Sequence, residues 1–487
     1  MKKSKLLVLL GTALFALPSC GDNGYDKNNP KIEFWHTFGA KTQTSLEKMA
    51  KQFSEIVKKE QGIDVEINLT YQGDYKDIKS KIIKGLAAGN TPTIAVAYPD
   101  HVADYLQKEG GEDGKFVYNL EDYINDSTVG FGKQKYYGEP ESKKDFVDSF
   151  IEEGTKYTKT GMYSLPFMKS TEALFYNVSD MTRGYQLWKG SDKTAAEAEA
   201  WLKSASWDDE GDDDSFIDFC RFCAEHMSEI KNTYECILFY DSDANLIISK
   251  MYQEGIKYTS IENGKGKIDF EEDSEKAKLV SYLDNLKTLK DSNALLTKGC
   301  VNKYGSDYFK NKQCMFTVGS TGGTGYNDAG PDFKTGVCKV PASKNNPMYI
   351  TQGPTLTFLK NTSYSKEIND DMMKWAWQFA KYLTGAEVNT EMCIHGSEGY
   401  LPITYSAYET TKFQEAMNTE EEESLGPKVY KMMIEEIDGH YINTPVFSGC
   451  ATLRDQMEGT VKKVLLGTTT TEAAVNDAIT TTKLDII

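Results

Sequence analysis

The N-terminal part of the chain alternates between two hydrophobic periods. Residues 31–36 and 94–98 form short apolar runs, and residues 63–71 carry an apolar side chain at every second position, which predicts three strands. Residues 43–59 and 76–88 repeat apolar side chains every three or four positions, which predicts two amphipathic helices. A helix that connects two strands of one sheet usually joins parallel strands, so this order predicts an α/β fold built on a parallel sheet.

Residues 161–177 combine two apolar runs with a polar centre. The pattern predicts a strand, a turn at Pro166, the polar cluster 169–171 and a second strand that ends at Asn177. Such a segment suits a chain that passes from one packed body into another while its polar middle faces a gap. We interpret it as the floor of a ligand cleft, although this stretch alone fits an ordinary core strand equally well.

The second half of the chain continues both patterns. It predicts helices at 274–290, 373–383 and 457–466, and strands at 314–318 and 350–359. The strand at 314–318 leads into a loop rich in Ser, Thr and Gly, whose backbone N–H and hydroxyl groups suit an anion or a polyol. Gly353, in the last of these strands, allows the backbone to approach a ligand closely.

Length and charge limit the functional classes. The chain has 487 residues, more than one hydrophobic core usually serves, so two lobes are expected. Its 55 basic and 73 acidic residues give a net charge of −18. This charge opposes binding to nucleic acid and adhesion to an anionic lipid surface.

The N-terminus predicts export. Lysines precede the apolar run 6–17, which is too short to span a hydrocarbon core of about 30 Å as a helix. A Leu-Pro-Ser-Cys sequence ending at Cys20 resembles a bacterial lipobox, in which Pro18 is an unusual residue. We interpret residues 1–20 as a lipoprotein signal peptide with Cys20 as the lipidated residue, and residues 21–30 as a flexible tether. The protein is therefore expected outside the cytoplasm, held on the membrane by its lipid.

Few residues are arranged for catalysis or metal binding. The chain has no HExxH, GxSxG or GxxxxGK[ST] motif, and its five histidines show no ligand spacing, so we predict no metal, no cofactor and no enzyme activity. Cys220 and Cys223 form a CxxC in an apolar helical run, where buried thiols are favoured over a zinc or redox site. The eight cysteines other than Cys20 have irregular spacing, which leaves their pairing open.

Polar and aromatic residues follow the three N-terminal strands. Trp35 and His36 end the first strand, Tyr75 follows the second, and Asp100 follows the third. In open α/β sheets, ligands lie beyond the carboxyl ends of the strands. These four residues are therefore candidate ligand contacts.

Several short motifs occur together in a characteristic order. They are Phe34-Trp35-His36-Thr37, Gly73-Asp74-Tyr75, Gly89-Asn90-Thr91-Pro92, Ser164-Leu165-Pro166-Phe167 with Ser170-Thr171 and Tyr176-Asn177, Gly353, and Gly399-Tyr400-Leu401-Pro402-Ile403-Thr404. In this order the chain resembles the family 1 extracellular solute-binding proteins, the receptors of ABC importers, and within them the branch that binds sn-glycerol-3-phosphate. The resemblance spans Ile32 to about Ile479.

The resemblance implies a two-lobe α/β fold of the periplasmic-binding-protein (Venus-flytrap) type, class II. Its lobes are joined by crossing hinge segments and close around a ligand. The N-terminal lobe is expected to comprise residues 31–168 and 338–385. The C-terminal lobe is expected to comprise residues 169–337 and 386–487.

The resemblance also implies a ligand site. Its matching positions are Tyr75, the neighbourhood of Asp100, Ser170, Ser320, Gly353, Tyr400 and Arg454. Arg454 would bind a phosphate with two parallel hydrogen bonds, which arginine does better than lysine. The sequence departs from the branch at Pro99, where an acidic residue is usual, and at 239–245, which replaces a segment rich in tryptophan.

We therefore expect a lipid-anchored receptor that captures sn-glycerol-3-phosphate or a glycerophosphodiester and delivers it to the transmembrane subunits of an ABC permease. A monomer is expected, with no nucleic-acid partner. A neutral oligosaccharide is the alternative ligand, because the tyrosines and carboxylates near these positions also suit sugar hydroxyls. A secreted carbohydrate-active enzyme or a surface adhesin is the alternative from a different class.

Overall fold

The structure is a computed structural model that describes residues 24–208, 214–396, 399–419 and 424–486. The predicted signal peptide, Cys20 and the first part of the predicted tether lie outside these ranges. Within them, no helix is both long enough and apolar enough to cross a membrane.

The strands form two five-stranded sheets and two two-stranded ones. They are β1 (Lys31–His36), β2 (Glu66–Tyr71), β3 (Ile94–Ala97), β4 (Leu165–Pro166), β5 (Glu172–Asn177), β6 (Leu238–Tyr240), β7 (Thr259–Glu262), β8 (Lys265–Ile268), β9 (Leu295–Thr297), β10 (Phe316–Ser320), β11 (Thr335–Lys339), β12 (Tyr349–Ile350), β13 (Thr355–Phe358) and β14 (Tyr441–Ile442).

The helices surround these sheets. They are α1 (Ala40–Gln61), α2 (Tyr75–Ala88), α3 (Pro99–Gln107), α4 (Glu121–Ile124), α5 (Asp148–Glu153), α6 (Val178–Lys189), α7 (Ala195–Ser204), α8 (Phe216–Glu225), α9 (Met227–Ile230), α10 (Asp243–Gln253), α11 (Asp273–Asp291), α12 (Lys298–Val301), α13 (Gly305–Lys310), α14 (Thr324–Asn327), α15 (Lys366–Leu383), α16 (Ala386–Glu391), α17 (Tyr405–Tyr408), α18 (Thr411–Asn418), α19 (Leu425–Lys431), α20 (Cys450–Leu465) and α21 (Thr471–Lys483). Short 3-10 turns occur at Lys135–Tyr137, Lys143–Asp145, Asp269–Glu271, Thr321–Gly323 and Gly330–Asp332, and π-helical turns at Met392–Gly396 and Met432–Glu436.

The first lobe is built on the sheet with strand order β2-β1-β3-β13-β4. Strand β1 is parallel to β2 and β3, as the N-terminal pattern predicts, and β13 runs antiparallel between β3 and β4. Alternate residues of β3 enter cores on opposite faces: Ile94 packs with the side chains of α1 and α15, while Ala95 packs with those of α2 and α3. The helices on both faces explain why this strand is apolar throughout.

The second lobe is built on the sheet with strand order β11-β5-β10-β6-β9. Strands β10, β6 and β9 are parallel, while β5 is antiparallel to both of its neighbours. Helices α8, α11, α20 and α21 supply the core of this lobe. Two sheets, each with its own helices, confirm the predicted α/β class and its division into two lobes.

The chain passes between the two sheets in adjacent segments. Residues 167–171 lead from β4 to β5, and residues 351–354 lead back from β12 to β13. The two segments run antiparallel, because Ser170 N donates to Gln352 O over 2.9 Å and Gln352 N donates to Ser170 O over 2.8 Å. The stretch 161–177 therefore connects the lobes, as its polar centre indicated.

Three local predictions differ from the structure. The strand predicted at 350–359 is divided into β12 and β13, because Gly353 adopts a φ of 112° and a Cβ atom there would lie 2.2 Å from Met168 O. The helix predicted at 457–466 begins at Cys450, directly after Gly449 with its φ of 97°. Residues 386–396, assigned above to the C-terminal lobe, contact α1 of the first lobe, where Thr42 Oγ1 donates to Gly396 O over 3.0 Å.

All eight cysteines other than Cys20 have free thiols in the structure. Cys220 and Cys223 are fully buried on α8, and Cys223 Sγ lies close to the backbone of Gly184. Burial raises the pKa of both thiols. This arrangement agrees with the buried thiols that the apolar surroundings of the CxxC predicted.

Candidate ligand-binding site

A cavity of about 380 Å³ lies between the lobes. Its wall is formed by both crossing segments, the residues that follow β3 and β6, the last residue of β10 and helix α20. Six of the nine residues predicted to bind ligand line it. They are Asp100, Ser170, Ser320, Gly353, Tyr400 and Arg454. The structure brings these residues together from distant parts of the chain, and their role in ligand binding stays a prediction.

The remaining three predicted contacts do not line this cavity. Trp35 packs against the core shared by α2 and α3. His36 is fully buried, and its Nδ1 accepts a hydrogen bond from Phe38 N over 3.2 Å. Tyr75 stacks on Tyr98, with ring centroids 3.9 Å apart. It is Tyr98 that lines the cavity, so Tyr75 supports the aromatic wall from behind.

Asp100 reaches the cavity because of the residue before it. Pro99 is the first residue of α3, a position that proline favours because it needs no N–H partner there. Asp100 consequently lies in the first turn, and its Oδ1 accepts the backbone N–H of His101 over 2.8 Å. The departure at Pro99 thus moves the acidic residue one position along the chain without removing it from the cavity.

Tyr400 lies against the second lobe because the backbone of the preceding residue, Gly399, packs closely on Thr321. Gly399 has a φ of 85°, and a Cβ atom there would lie 1.8 Å from Thr321 O. The Tyr400 ring in turn lies over Gly322. Because Ser320 Oγ already accepts the N–H of Gly322 over 3.3 Å, part of the predicted Ser/Thr/Gly donor loop is used within the protein.

Arg454 lies in the second turn of α20, within the helix and not before it as predicted. It is one of three arginines in the chain, and among the described residues it is the basic residue that lines the cavity. Its Nη2 donates to Asn245 Oδ1. Among the described residues this is the hydrogen bond that holds the guanidinium, and it uses one of the five N–H groups that an arginine side chain carries.

Four carboxyl groups also line the cavity: Asp100, Glu153, Glu172 and Asp241. Burial raises the pKa of Glu172 to about 7 and that of Asp241 to about 6. Glu153 forms an ion pair with Lys169, which is only 1% exposed. The sequence makes Lys169 a candidate charge donor for the ligand. In the structure Glu153 compensates its charge, and Lys169 is not among the residues that line the cavity.

Glu172 and Asn245 were not predicted, and both are central to the wall of the cavity. Glu172 is 5% exposed and accepts hydrogen bonds from Tyr240 and Asn245. Asn245 belongs to the first turn of α10. The sequence carried a signal at Glu172: it is the first residue of β5, which is buried throughout, and a carboxylate in such a strand must find buried partners.

The two lobes also touch beside the cavity. Lys76 Nζ of α2 lies 3.1 Å from Asp455 Oδ1 of α20. Gly449 N lies 3.5 Å from Asp104 Oδ1 of α3. Helices of the first lobe therefore contact α20, the helix that carries Arg454, so the guanidinium and Asp100 face the same space. No group of His, Cys, Asp and Glu side chains suited to a metal ion occurs in the described ranges.

The family profile described as "Bacterial extracellular solute-binding protein" matches residues 48–420 of this chain. Among curated proteins, the sn-glycerol-3-phosphate-binding periplasmic protein UgpB of Shigella dysenteriae serotype 1 (strain Sd197) is 23% identical over 389 residues. This alignment covers 79% of the present chain and 76% of that protein.

Solved structures share the fold over most of the chain. The GacH receptor of Streptomyces glaucescens GLA.O, solved unliganded and with acarbose, superposes with a TM-score of 0.64 at 18% identity, covering 93% of this chain and 98% of that one. UgpB from Mycobacterium tuberculosis, solved with glycerophosphocholine, gives a TM-score of 0.63 at 14% identity over 93% and 98%. These likenesses confirm the two-lobe solute-binding fold.

Proposed function

We propose that this chain, which belongs to the bacterial extracellular solute-binding protein family, captures a phosphodiester of glycerol in the cavity between its lobes. The family supplies the solute-binding components of ABC importers, so its members bind a small solute and partner with a permease. The observation that carries our choice of ligand is the position of Arg454, a cation on the cavity wall that the described residues hold through a hydrogen bond at one nitrogen, Nη2.

The charge of the cavity favours a diester over a monoester. A phosphomonoester carries roughly −1.5 to −2 charges near neutral pH, and it would face one guanidinium among four carboxyl groups. A phosphodiester carries a single negative charge, which Arg454 alone can match. The glycerol hydroxyls are hydrogen-bond donors, and Asp100 and Asp241 are acceptors for them.

A neutral sugar is the second candidate, and the same wall supports it. Tyr98, Tyr258, Tyr304 and Tyr400 line the cavity, and aromatic faces with nearby carboxylates suit the apolar faces and hydroxyl groups of sugars. A sugar makes no use of the charge of Arg454. The two candidates therefore differ in whether binding depends on this arginine.

A ligand panel tests the proposed function. We expect glycerophosphoglycerol or glycerophosphocholine to raise the thermal unfolding temperature most, sn-glycerol-3-phosphate less, and maltose not at all. A ligand present at 100 times its Kd stabilises the folded protein by about 2.7 kcal/mol. Stabilisation by maltose alone would establish the sugar alternative, and no response to any of the four would contradict the choice of ligand. Turnover of a panel member would revive the enzyme alternative.

We further propose that the protein is held on the outer face of the membrane by a lipid on Cys20 and docks there, as a monomer, on its permease. A diacylglyceryl group buries enough CH₂ groups, at about 0.8 kcal/mol each, to act as an anchor. Intact-mass spectrometry of protein extracted from membranes should give a chain that begins at Cys20 and carries acyl chains. An unprocessed chain, or one cleaved elsewhere and found in the medium, would contradict the anchor.

A further inference from the structure

A line of hydrogen bonds runs along the cavity wall from Tyr240 to Arg454. The Tyr240 hydroxyl donates to Glu172 Oε2 over 2.5 Å, and Asn245 Nδ2 donates to Glu172 Oε1 over 2.8 Å. Arg454 Nη2 donates to Asn245 Oδ1. Tyr240, Glu172 and Asn245 are at most 5% exposed, so water does not replace these bonds.

At the arginine end of this line, the direction of donation from one group to the next is fixed. A guanidinium has donors and no acceptor, so the oxygen of the Asn245 amide must face Arg454. The amide nitrogen must then face Glu172, which must accept at Oε1. The backbone N–H of Asn245 donates to Ser242 Oγ over 3.2 Å, which keeps the residue at the start of α10. Glu172 thus positions Arg454 through Asn245.

The other carboxyl oxygen has a partner that suits both charge states. A tyrosine hydroxyl is a donor and an acceptor. It donates to Oε2 when Glu172 is ionised, and it can accept from Oε2 when Glu172 carries a proton there. Neither change disturbs Oε1 or its bond to Asn245. Glu172 can therefore take up a proton while Arg454 keeps its place.

The groups that face Glu172 set the balance between these states. The charged groups that face Glu172 are Arg454 on α20, which lowers its pKa, and Asp241 directly after β6, which raises it. Lys250 on α10 also faces Glu172, but burial lowers the pKa of this lysine well below its usual value and favours its neutral amine. Burial raises the pKa of Glu172 to about 7, against the hydrogen bonds from Tyr240 and Asn245 and the charge of Arg454. An anion bound at Arg454 would offset that charge and favour the protonated acid.

We propose that Glu172 couples the binding of an anionic ligand to the uptake of one proton. In the empty cavity an ionised Glu172 compensates Arg454. When a phosphodiester binds to Arg454, the ligand takes over this compensation, and Glu172 Oε2 accepts a proton from solvent. The inference rests on the proposed function, because it requires an anion at Arg454.

The sign of the pH dependence follows from this exchange. Proton uptake on binding means that affinity increases as the pH falls, by up to about tenfold per pH unit above about pH 7, and levels off once Glu172 is protonated in the free protein. A phosphodiester keeps one negative charge throughout this range. Its own titration therefore does not contribute, and a neutral sugar would show no such dependence.

Calorimetric titration with glycerophosphoglycerol tests the coupling. The binding enthalpy measured at about pH 8 in buffers of different ionisation enthalpy gives the number of protons exchanged, and we expect uptake of between about half and one proton per ligand. Binding without proton uptake would overturn this inference and leave the proposed function intact. Absence of any binding to the wild-type protein would overturn both.

Two variants test whether Glu172 or another acidic residue takes up the proton. Glu172→Gln keeps an oxygen for Asn245 and cannot exchange a proton, so we expect it to bind glycerophosphoglycerol with no proton uptake and a flat pH profile. Glu55→Gln, an exposed position on α1 away from the cavity, should retain the wild-type proton uptake. Undiminished uptake in Glu172→Gln would assign the proton elsewhere and contradict the inference.

The unliganded protein gives an independent measurement. Because folding raises the pKa of Glu172 from 4.5 to about 7, the folded state holds this proton more tightly, and that contribution to stability is lost as the pH rises through about 7. Relative to Glu172→Gln, the wild type should lose stability between about pH 5 and about pH 8. Parallel stability profiles would show that Glu172 does not titrate in this range and would contradict the inference.

Discussion

Replacing Arg454 by alanine is expected to weaken the binding of glycerophosphoglycerol by about 100-fold or more. The guanidinium is the basic group on the described cavity wall, and its removal leaves the ligand phosphate facing carboxyl groups without a cation. The substitution also leaves Asn245 Oδ1 without its donor. Calorimetric titration at a fixed pH of about 7 measures the effect.

Two further variants test whether the effect is specific to the guanidinium of Arg454. Arg454→Lys keeps the positive charge but loses the paired N–H groups, so we expect partial binding, between those of the wild type and the alanine variant. Arg183→Ala removes an exposed arginine on α6 and should bind as the wild type does. Unchanged diester binding by Arg454→Ala would refute the phosphate role of this residue, and unchanged maltose binding beside it would favour the sugar alternative.

Replacing Lys381 by methionine is expected to lower the free energy of unfolding of the protein by about 3–5 kcal/mol. Lys381 and Glu139 form an ion pair in which both side chains are fully buried. Lys381 Nζ also donates to Gln134 Oε1 over 2.7 Å and to Gly130 O over 3.2 Å. Methionine would leave the charge of Glu139 uncompensated in the core of the first lobe. Unfolding in denaturant, followed by fluorescence, measures the loss.

The double variant Lys381→Met/Glu139→Gln is the matched control. A neutral glutamine still accepts the Gln134 N–H, which reaches Glu139 Oε1 over 2.5 Å. We therefore expect the double variant to be more stable than Lys381→Met, because no charge remains buried without a partner. Equal stability of Lys381→Met and the wild type would mean that the pair contributes little to the fold.

Local patterns predict the framework of the first lobe because its elements are close in sequence. The order β1, α1, β2, α2, β3 follows from side chains within single segments, and each strand pairs with one of its near neighbours. β13 pairs with β3 across more than 250 positions, and no local period encodes that pairing. Gly353 divides its predicted strand because of its close approach to Met168 O, which is also remote in sequence.

The sequence likewise predicts part of the candidate site and misses the rest. Ser170 and Tyr400 were predicted from motifs whose order resembles a family, and Asp100 was predicted from its position after the third strand. All three line the cavity. Tyr75 was placed by the same motifs, but it lies behind Tyr98, because stacking between neighbouring elements sets which ring faces the gap. Glu172 and Asn245 were missed because their bonds join β5, α10 and α20. The partners that compensate a buried charge are often distant in sequence, so the local pattern of apolar and polar residues does not reveal them.

A crystal structure with glycerophosphoglycerol tests the central claim most directly. The claim is that the cavity between the lobes holds a glycerol phosphodiester with its phosphate on Arg454. We expect ligand density between Ser170 and Arg454, with a phosphate oxygen within about 3 Å of the free guanidinium nitrogens and the bond from Arg454 to Asn245 preserved. Density at another surface, or a ligand in the cavity whose phosphate points away from Arg454, would contradict the claim.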